Sequence, residues 1–357
     1  MDTVFLGMSG GVDSSVAALL LQRQGYQVSG VHLRLLADED AGGEMGSACC
    51  DLSDAENARA VASRLGIPFY VFDFSAVFRS TVIRDFVEGY RAGRTPNPCV
   101  VCNRAVKFGA LLDRVQVLGG QFLATGHYAR VARAPGSGRY LLLRGRDRRK
   151  DQSYFLYMLT QEQLSHTLFP LGELEKTEVR RLAAENGLVN ADRRDSQDIC
   201  FAPDGDYAAF IERMTGEPAP AGDFLDSQGR VLGRHKGLIR YTLGQHKGLG
   251  LPTETPLYVL KKDVLHNTAY LGPDSALWRD SLTAGDINWI SIPALTEPLR
   301  VSVKTRYSRN ETEGVIVPLE GGTVEVRFDK PQRAPAPGQA VVFYDNEIVV
   351  GGGTILG

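Results

Sequence analysis

The chain has 357 residues, 43% hydrophobic and 23% charged, with formal net charge −2 and five cysteines. At about 100–200 residues per domain this predicts two or three domains, and the composition excludes disordered and collagen-like classes. No apolar run nears the roughly 20 residues that span a bilayer, no basic leader opens MDTVFLGMSGGVDSS, and an odd cysteine count argues for reduced thiols, so a cytoplasmic protein is expected. In chain order, TVFLGM (3–8) reads as a buried strand and Ser14 to Gln24 as a helix stopped by Gly25. QVSGVHL (27–33) is a second strand, Ser53 to Leu65 a second helix, and PFYVFDF (68–74) a third strand. Helices near 76–92 and 105–118 precede a fourth strand, QFLATG (121–126). This alternation predicts an α/β fold with a mainly parallel sheet, whose ligands bind at the carboxyl ends of the strands.

Beyond residue 126 come a basic stretch, helical segments at 153–165 and 175–186, and then RRDSQDICFAPDG. Residues 205–277 are short, Gly-rich and mixed, which suits a small α+β domain. Residues 278–357 lose helical periodicity. VSVKTRY, TEGVIVPL, GTVEVRF, QAVVFYD and EIVVGGGTIL alternate as strands, and five such strands predict a C-terminal β-barrel. The expected domains are therefore 1–204, 205–277 and 278–357.

The strongest local signal is Ser9-Gly10-Gly11-Val12-Asp13-Ser14-Ser15, directly after the first strand and opening the first helix. Paired glycines let the backbone turn its N–H groups toward an anion, and the helix N-terminus adds its dipole. A bare glycine turn with a capping Ser or Asp needs no ligand; the whole string after a buried strand favours one. No Gly-Lys-Ser/Thr follows, so this is not a Walker A loop. The string resembles the pyrophosphatase loop of the N-type ATP pyrophosphatases. That resemblance implies that Ser9, Gly10, Gly11, Asp13 and Ser14 hold pyrophosphate with Mg²⁺, with Gly7, Met8 and Val12 in the same loop. Leu33 and Gly126 fall where ribose and adenine would lie.

Thr95-Pro96-Asn97-Pro98-Cys99-Val100-Val101-Cys102-Asn103 reads as a proline-set loop carrying Cys-x-x-Cys, and Cys200 follows in SQDICF. Lone cysteines are usually inert core residues, whereas two thiols one turn apart suit redox exchange or metal. The vicinal Cys49 and Cys50 read as a structural pair beginning a helix. GMSGGVDSS, TPNPCVVCN, TGHYAR, KDQSYFL, SQDICF and VKTRY together resemble the bacterial tRNA-specific 2-thiouridylase family, in order and over essentially the whole chain. The resemblance implies an ATP pyrophosphatase domain (adenine nucleotide α hydrolase-like), a small central domain and a C-terminal barrel. It also implies replacement of the C2 oxygen of a tRNA wobble uridine by sulfur. In that family the cysteine matching Cys200 takes up sulfur as a persulfide, the one matching Cys102 is the nucleophile, and the two can join in a disulfide. Many members carry Asp where this chain has Cys99. That departure makes a 4Fe–4S cluster on Cys99, Cys102 and Cys200 the expectation, with a persulfide route alone the alternative.

Taken alone, the near-zero charge argues against a nucleic-acid partner. Locally, Arg130, Arg133, Arg139, Arg144, Arg146, Arg148, Arg149 and Lys150 stand against only Asp147. Beside a nucleotide loop such a run favours phosphate binding, although a solvated hairpin has the same composition. In RVSVKTRY, Arg300, Lys304 and Arg306 share one strand face and Val301, Val303 and Tyr307 the other, which leaves Tyr307 either to stack a base or to fill the barrel. The resemblance carries tRNA contact onto Asn97, His127, Lys150, Asp151, Gln152, Arg306, Tyr307 and Gln339, with the target base of the anticodon stem-loop flipped out. It implies a cysteine desulfurase or sulfur-relay carrier as donor, and no membrane. His32, Asp195 and Asp198 carry no assigned role. The rival readings are another ATP pyrophosphatase-loop ligase or amidotransferase on a small substrate, and a non-enzymatic iron–sulfur RNA-binding module.

Overall fold

The computed structural model describes residues 1–37, 52–188, 199–202, 205–252, 255–307 and 311–357. Cys49, Cys50, Asp195 and Asp198 lie outside them.

The N-terminal elements are β1 (Thr3–Gly7), α1 (Val12–Arg23), β2 (Gln27–Arg34), α2 (Leu52–Leu65) and β3 (Phe69–Asp73). Two long helices follow, α3 (75–91) and α4 (98–117), each with a π-helical stretch, at Arg79–Ile83 and Asn103–Leu111. β4 (Phe122–Ala124) completes the run; later in the chain come α5 (Gln161–Ser165), the short β7 (Thr167–Leu168) and α6 (Lys176–Glu185). The five strands form one parallel sheet in the order β3-β2-β1-β4-β7. Strand alternation sorts β1 between two cores. Val4 and Leu6 pack with Val16, Leu21, Val61 and Val179 of α1, α2 and α6, while Phe5 packs with Phe108, Leu111 and Val115 of α4. The strand order reverses between β1 and β4, which opens a crevice at their carboxyl ends.

The central segment holds α7 (Tyr207–Thr215), β8 (Gly222–Leu225), β9 (Val231–His235), β10 (Tyr258–Asp263) and β11 (Thr268–Gly272), with the four strands in the order β10-β11-β8-β9. Phe210 and Ile211 of α7 pack into the aromatic cluster of α3, against Phe78, Phe86 and Phe201.

The C-terminal barrel has six strands, not five: β12 (Trp278–Trp289), β13 (Leu299–Lys304), β14 (Thr312–Pro318), β15 (Val324–Arg333), β16 (Ala340–Asp345) and β17 (Ile348–Ile355). β12 pairs with both β15 and β17 and so closes the ring. Its sequence, WRDSLTAGDINW, alternates weakly because its pairing shifts register twice, which explains why it escapes a period-2 reading. The basic stretch forms a hairpin, β5 (Ala129–Arg133) and β6 (Tyr140–Arg144), and joins the barrel sheet through β17. A second correction concerns residues 153–165. They form a 3₁₀ turn at Ser153–Phe155 and then α5, because the Tyr154 and Tyr157 hydroxyls are drawn off to donate to the barrel carbonyls of Ala340 (2.9 Å) and Gly353 (3.2 Å). Among the described residues no helix is long and apolar enough to cross a membrane.

Candidate active site

The glycine loop sits in the crevice. Gly11 caps α1, and Gly10 has φ +73, where a Cβ would collide with the Asp54 carbonyl oxygen of α2. Only glycine fits both the conformation and the space. The Met8 amide donates to Val31 O (2.7 Å), which ties the loop to β2, and the Ser14 and Ser15 hydroxyls both donate to Gly11 O at 3.0 Å. Ser9 is exposed, whereas Gly10, Val12 and Ser14 are buried. Gly126 closes the far side: a Cβ there would lie 3.0 Å from the Ser14 nitrogen. Leu33, at the end of β2, is half-buried. The loop thus presents helix-terminal N–H groups at a topological switch point, the arrangement that suits a phosphate chain.

Asp13, in the first turn of α1, receives Lys176 Nζ at 2.7 Å on both carboxylate oxygens and the Tyr128 hydroxyl at 2.8 Å. Lys176 opens α6 and is buried. It balances the negative charge that the loop itself carries. Nothing in its local sequence marks it, because its partner is 163 residues away. His32, also without a reading from sequence, is buried beside the loop with Nδ1 3.0 Å from Met8 O, so it braces the loop. His127 lies beside Gly126, with Nδ1 2.7 Å from the Thr125 hydroxyl and its ring between Phe108 and Phe169. Burial, reinforced by the Lys107 charge, holds its pKa well below the usual value, so the ring is neutral at physiological pH.

Cys-x-x-Cys occupies the first turn of α4 rather than a loop. Asn97 is the N-cap, its side-chain oxygen accepting from the Val100 amide at 3.4 Å, and Pro98 takes the first helical position. Cys99 is exposed, whereas Cys102 is buried in the cluster of Leu35, Phe78, Phe86 and Phe201, against which Cys200 also packs. Leu33 and Leu35, at the end of β2, belong to the same cluster, so it borders the crevice. All three cysteines are present as thiols. Among the described residues no three His, Cys, Asp or Glu side chains gather closely enough to hold a metal ion. The cluster expected on Cys99, Cys102 and Cys200 thus has no such grouping of side chains to support it. The physical reason is the helix: Cys102 turns into the aromatic core while Cys99 turns to solvent.

The remaining expected contacts divide. Asp151 is buried, accepting from the Gly145 and Ser153 amides (3.0 and 3.1 Å) and the Ser153 hydroxyl (2.9 Å), so it shapes its loop from within. Gln152 is likewise turned inward, accepting from the Tyr128 amide at 3.0 Å. Arg306 donates to Ala334 O (2.7 Å) and is also occupied internally. Tyr307 does not fill the barrel: it lies 38% exposed, its ring tilted at 41° against Phe155 with centroids 4.5 Å apart. It follows the end of β13, so the strand alternation that buries Val301 and Val303 no longer governs it. Lys150 is partly exposed beside Arg149, which is 82% exposed. Gln339 faces the catalytic domain, where its Nε2 donates to Thr95 O at 2.8 Å.

The basic run is less basic in three dimensions than in sequence. Arg130 pairs with Glu347 (2.8 Å) and Glu173 (3.4 Å), Arg148 with Glu347, and the buried Arg144 with Glu311. Arg139 donates to the Trp289 and Ile290 carbonyls. The carboxylates come from distant segments, which a sequence window does not see.

Family models described as a tRNA methyl transferase HUP domain, a tRNA methyl transferase PRC-barrel domain and an aminomethyltransferase beta-barrel domain match residues 2–204, 208–273 and 279–355. A tRNA-specific 2-thiouridylase of Acetivibrio thermocellus is 49% identical over 99% of this chain and 98% of its own. The chain belongs to the tRNA-specific 2-thiouridylase family. A thiouridylase of Symbiobacterium thermophilum is 51% identical over 99% of this chain and 91% of its own, and one of Clostridium acetobutylicum 46% identical over 99% of each. Membership in the thiouridylase family unites what the geometry presents separately: a glycine loop at the sheet's switch point, two thiols packed in one hydrophobic cluster and a barrel sheet extended by the basic hairpin.

Proposed function

We infer that this chain is a tRNA uridine 2-sulfurtransferase that uses ATP to replace the wobble-uridine C2 oxygen with sulfur. The observation that supports the reading is that Cys102 and Cys200 pack in one hydrophobic cluster with Leu33 and Leu35 at the end of β2, the strand paired with β1, which leads into the glycine loop. Uracil C2=O has no usable leaving group, and ATP makes its oxygen part of AMP, with release of pyrophosphate to the loop of Ser9, Gly10, Gly11 and Ser14. Lys176 offsets the Asp13 charge there. The chain offers no all-protein cage for Mg²⁺ among the described residues, which suits a cation arriving on the triphosphate.

A persulfide on Cys200, loaded by a cysteine desulfurase or relay carrier, adds its outer sulfur to C2, and AMP departs with the former oxygen. The Cys102 thiolate then attacks Cys200 Sγ, freeing 2-thiouridine and leaving a Cys102–Cys200 disulfide for an external thiol to reduce. Asn97, His127, Lys150, Tyr307 and Gln339 border the tRNA side, and a cytoplasmic setting belongs to the same reading. The test is stoichiometry: one AMP and one pyrophosphate per 2-thiouridine, only with tRNA present. Pyrophosphate release without tRNA would favour a small-molecule ligase. Stoichiometric iron in anaerobically purified protein, with thiolation lost on chelation, would replace the persulfide route.

A further inference from the structure

Residues four or five apart stack on one face of α4 where it is π-helical, over Asn103–Leu111. For Lys107 those neighbours are Cys102 and Asn103 before it and Leu111 and Leu112 after it, all at most 8% exposed. Arg104, Asp113 and Arg114 stand on the exposed side of the helix. Lys107 is thus half-buried on the inward row, yet among the described residues its ammonium group has neither a hydrogen-bond acceptor nor a counter-ion. A charge drawn into the protein is normally paired. The same row carries a second unpaired group: the buried Asn103 donates Nδ2 to the Phe155 carbonyl at 3.2 Å, while its Oδ1 has no partner.

Lys107 directly precedes Phe108, whose ring centroid lies 6.1 Å from that of His127, and its positive charge is felt at that imidazole. His127 follows Gly126, which packs on the Ser14 nitrogen of the glycine loop. In the other direction Cys102 is five residues earlier, a helical rise of about 7 Å. A spare cation therefore stands between loop and thiol. Lys176 does not duplicate it, because Asp13 accepts from Lys176 on both carboxylate oxygens.

We propose that Lys107 is a catalytic residue whose ammonium group binds the α-phosphate of the adenylated uridine and stabilises AMP as it leaves. The proposal rests on the thiolation reading of the site. In the adenylate the α-phosphate carries one negative charge. As the persulfide anion bonds to C2, the C2–O bond breaks, its electron pair leaves with AMP, and the phosphate gains a second charge. A cation fixed there binds the departing state more tightly than it binds ATP, so it acts on rate more than on affinity.

The test uses Lys107→Met, similar in length but uncharged, and Lys107→Arg, which keeps the charge. ATP and tRNA dissociation constants, melting temperature and single-turnover thiolation at saturating ATP and tRNA are measured. Lys107→Met is expected to thiolate ~100–1,000-fold more slowly, with both affinities within about threefold and adenylated tRNA accumulating before AMP appears. Lys107→Arg should recover roughly tenfold or more of that loss, because the charge is retained. Weaker tRNA binding with a flatter salt dependence, at an unchanged saturated rate, would overturn the proposal and make Lys107 a contact of the tRNA backbone. Equal loss in both variants, in step with melting temperature, would overturn it in favour of packing. Wild-type thiolation by Lys107→Met would overturn it outright. The thiolation reading is checked apart, in wild type alone: 2-thiouridine formed without AMP would sink that reading, whatever the variants do.

Discussion

At the scale of single residues, the loop is specified by what cannot be changed. Gly10 combines φ +73 with contact on the Asp54 carbonyl, so Gly10→Ala forces strain that costs about 1–3 kcal/mol and shifts the backbone donors. Equilibrium ATP binding should weaken by at least tenfold, beyond any loss in melting temperature. Lys176→Met removes the ammonium group that both Asp13 carboxylate oxygens accept from, and leaves that carboxylate at the start of α1 uncompensated by it. Its predicted effect is weaker ATP binding that high salt partly restores, because screening reduces the exposed charge. His127 gives a pH signature. Its folded pKa lies well below 6.5, so on acidification the unfolded chain takes a proton that the folded chain refuses. Stability from this residue is therefore present above about pH 6.5 and lost as pH falls below it. His127→Asn should lose less stability between about pH 7.5 and 5.5 than wild type, read by denaturant midpoints. The glycines, thiols and His127 were legible because their chemistry is local. Lys176 was not, because nothing in KTEVRR distinguishes a buried partner of Asp13 from a surface lysine opening a helix.

At the scale of elements, the parallel strands and their helices follow from apolar runs of the right length: β1 to β3 emerge within a residue at each end, whereas the strand read over 121–126 shortens to Phe122–Ala124 and the two-residue β7 carries too short a run to be read. Two further elements differed. Residues 153–165 have helical composition, yet Tyr154 and Tyr157 bond to barrel carbonyls and the helix yields to that packing. The hairpin of β5 and β6 was legible as a basic stretch, but its place in the barrel sheet rests on a single pairing of Ile348 with Leu143, far apart in sequence. Its charge was misread for the same reason: Glu173, Glu311 and Glu347 arrive from elsewhere to pair with Arg130, Arg144 and Arg148. Arg149 is 82% exposed beside the partly exposed Lys150 and pairs only loosely with Asp147, at 3.7 Å. Reversing both to Glu should weaken tRNA binding and lower the magnitude of the salt slope by about 0.7–0.9 for each lost contact. Reversal of Arg144 should instead unfold the hairpin, since it is buried over Tyr344. Salt-dependent tRNA binding and melting curves separate the two effects.

At the scale of the whole molecule, the three textures of the sequence correspond to a parallel-sheet domain, a small mixed domain and a closed barrel, joined more tightly than a linear reading shows. α7 completes the aromatic cluster around Cys102, the hairpin extends the barrel sheet, and Pro337–Gln339 returns from the barrel to the cysteine helix. A net charge of −2 spreads over surfaces that differ in sign, so it says little about the partner. The central claim is that ATP activation at the glycine loop and sulfur delivery by Cys102 and Cys200 are parts of one reaction on tRNA. The most direct measurement is incorporation of labelled sulfur into tRNA by wild type, Cys102→Ala and Cys200→Ala, each supplied with ATP and a cysteine desulfurase. The account predicts label in tRNA for wild type only, with Cys102→Ala still acquiring labelled persulfide and Cys200→Ala acquiring none. Thiolation at the wild-type rate by either variant would contradict it.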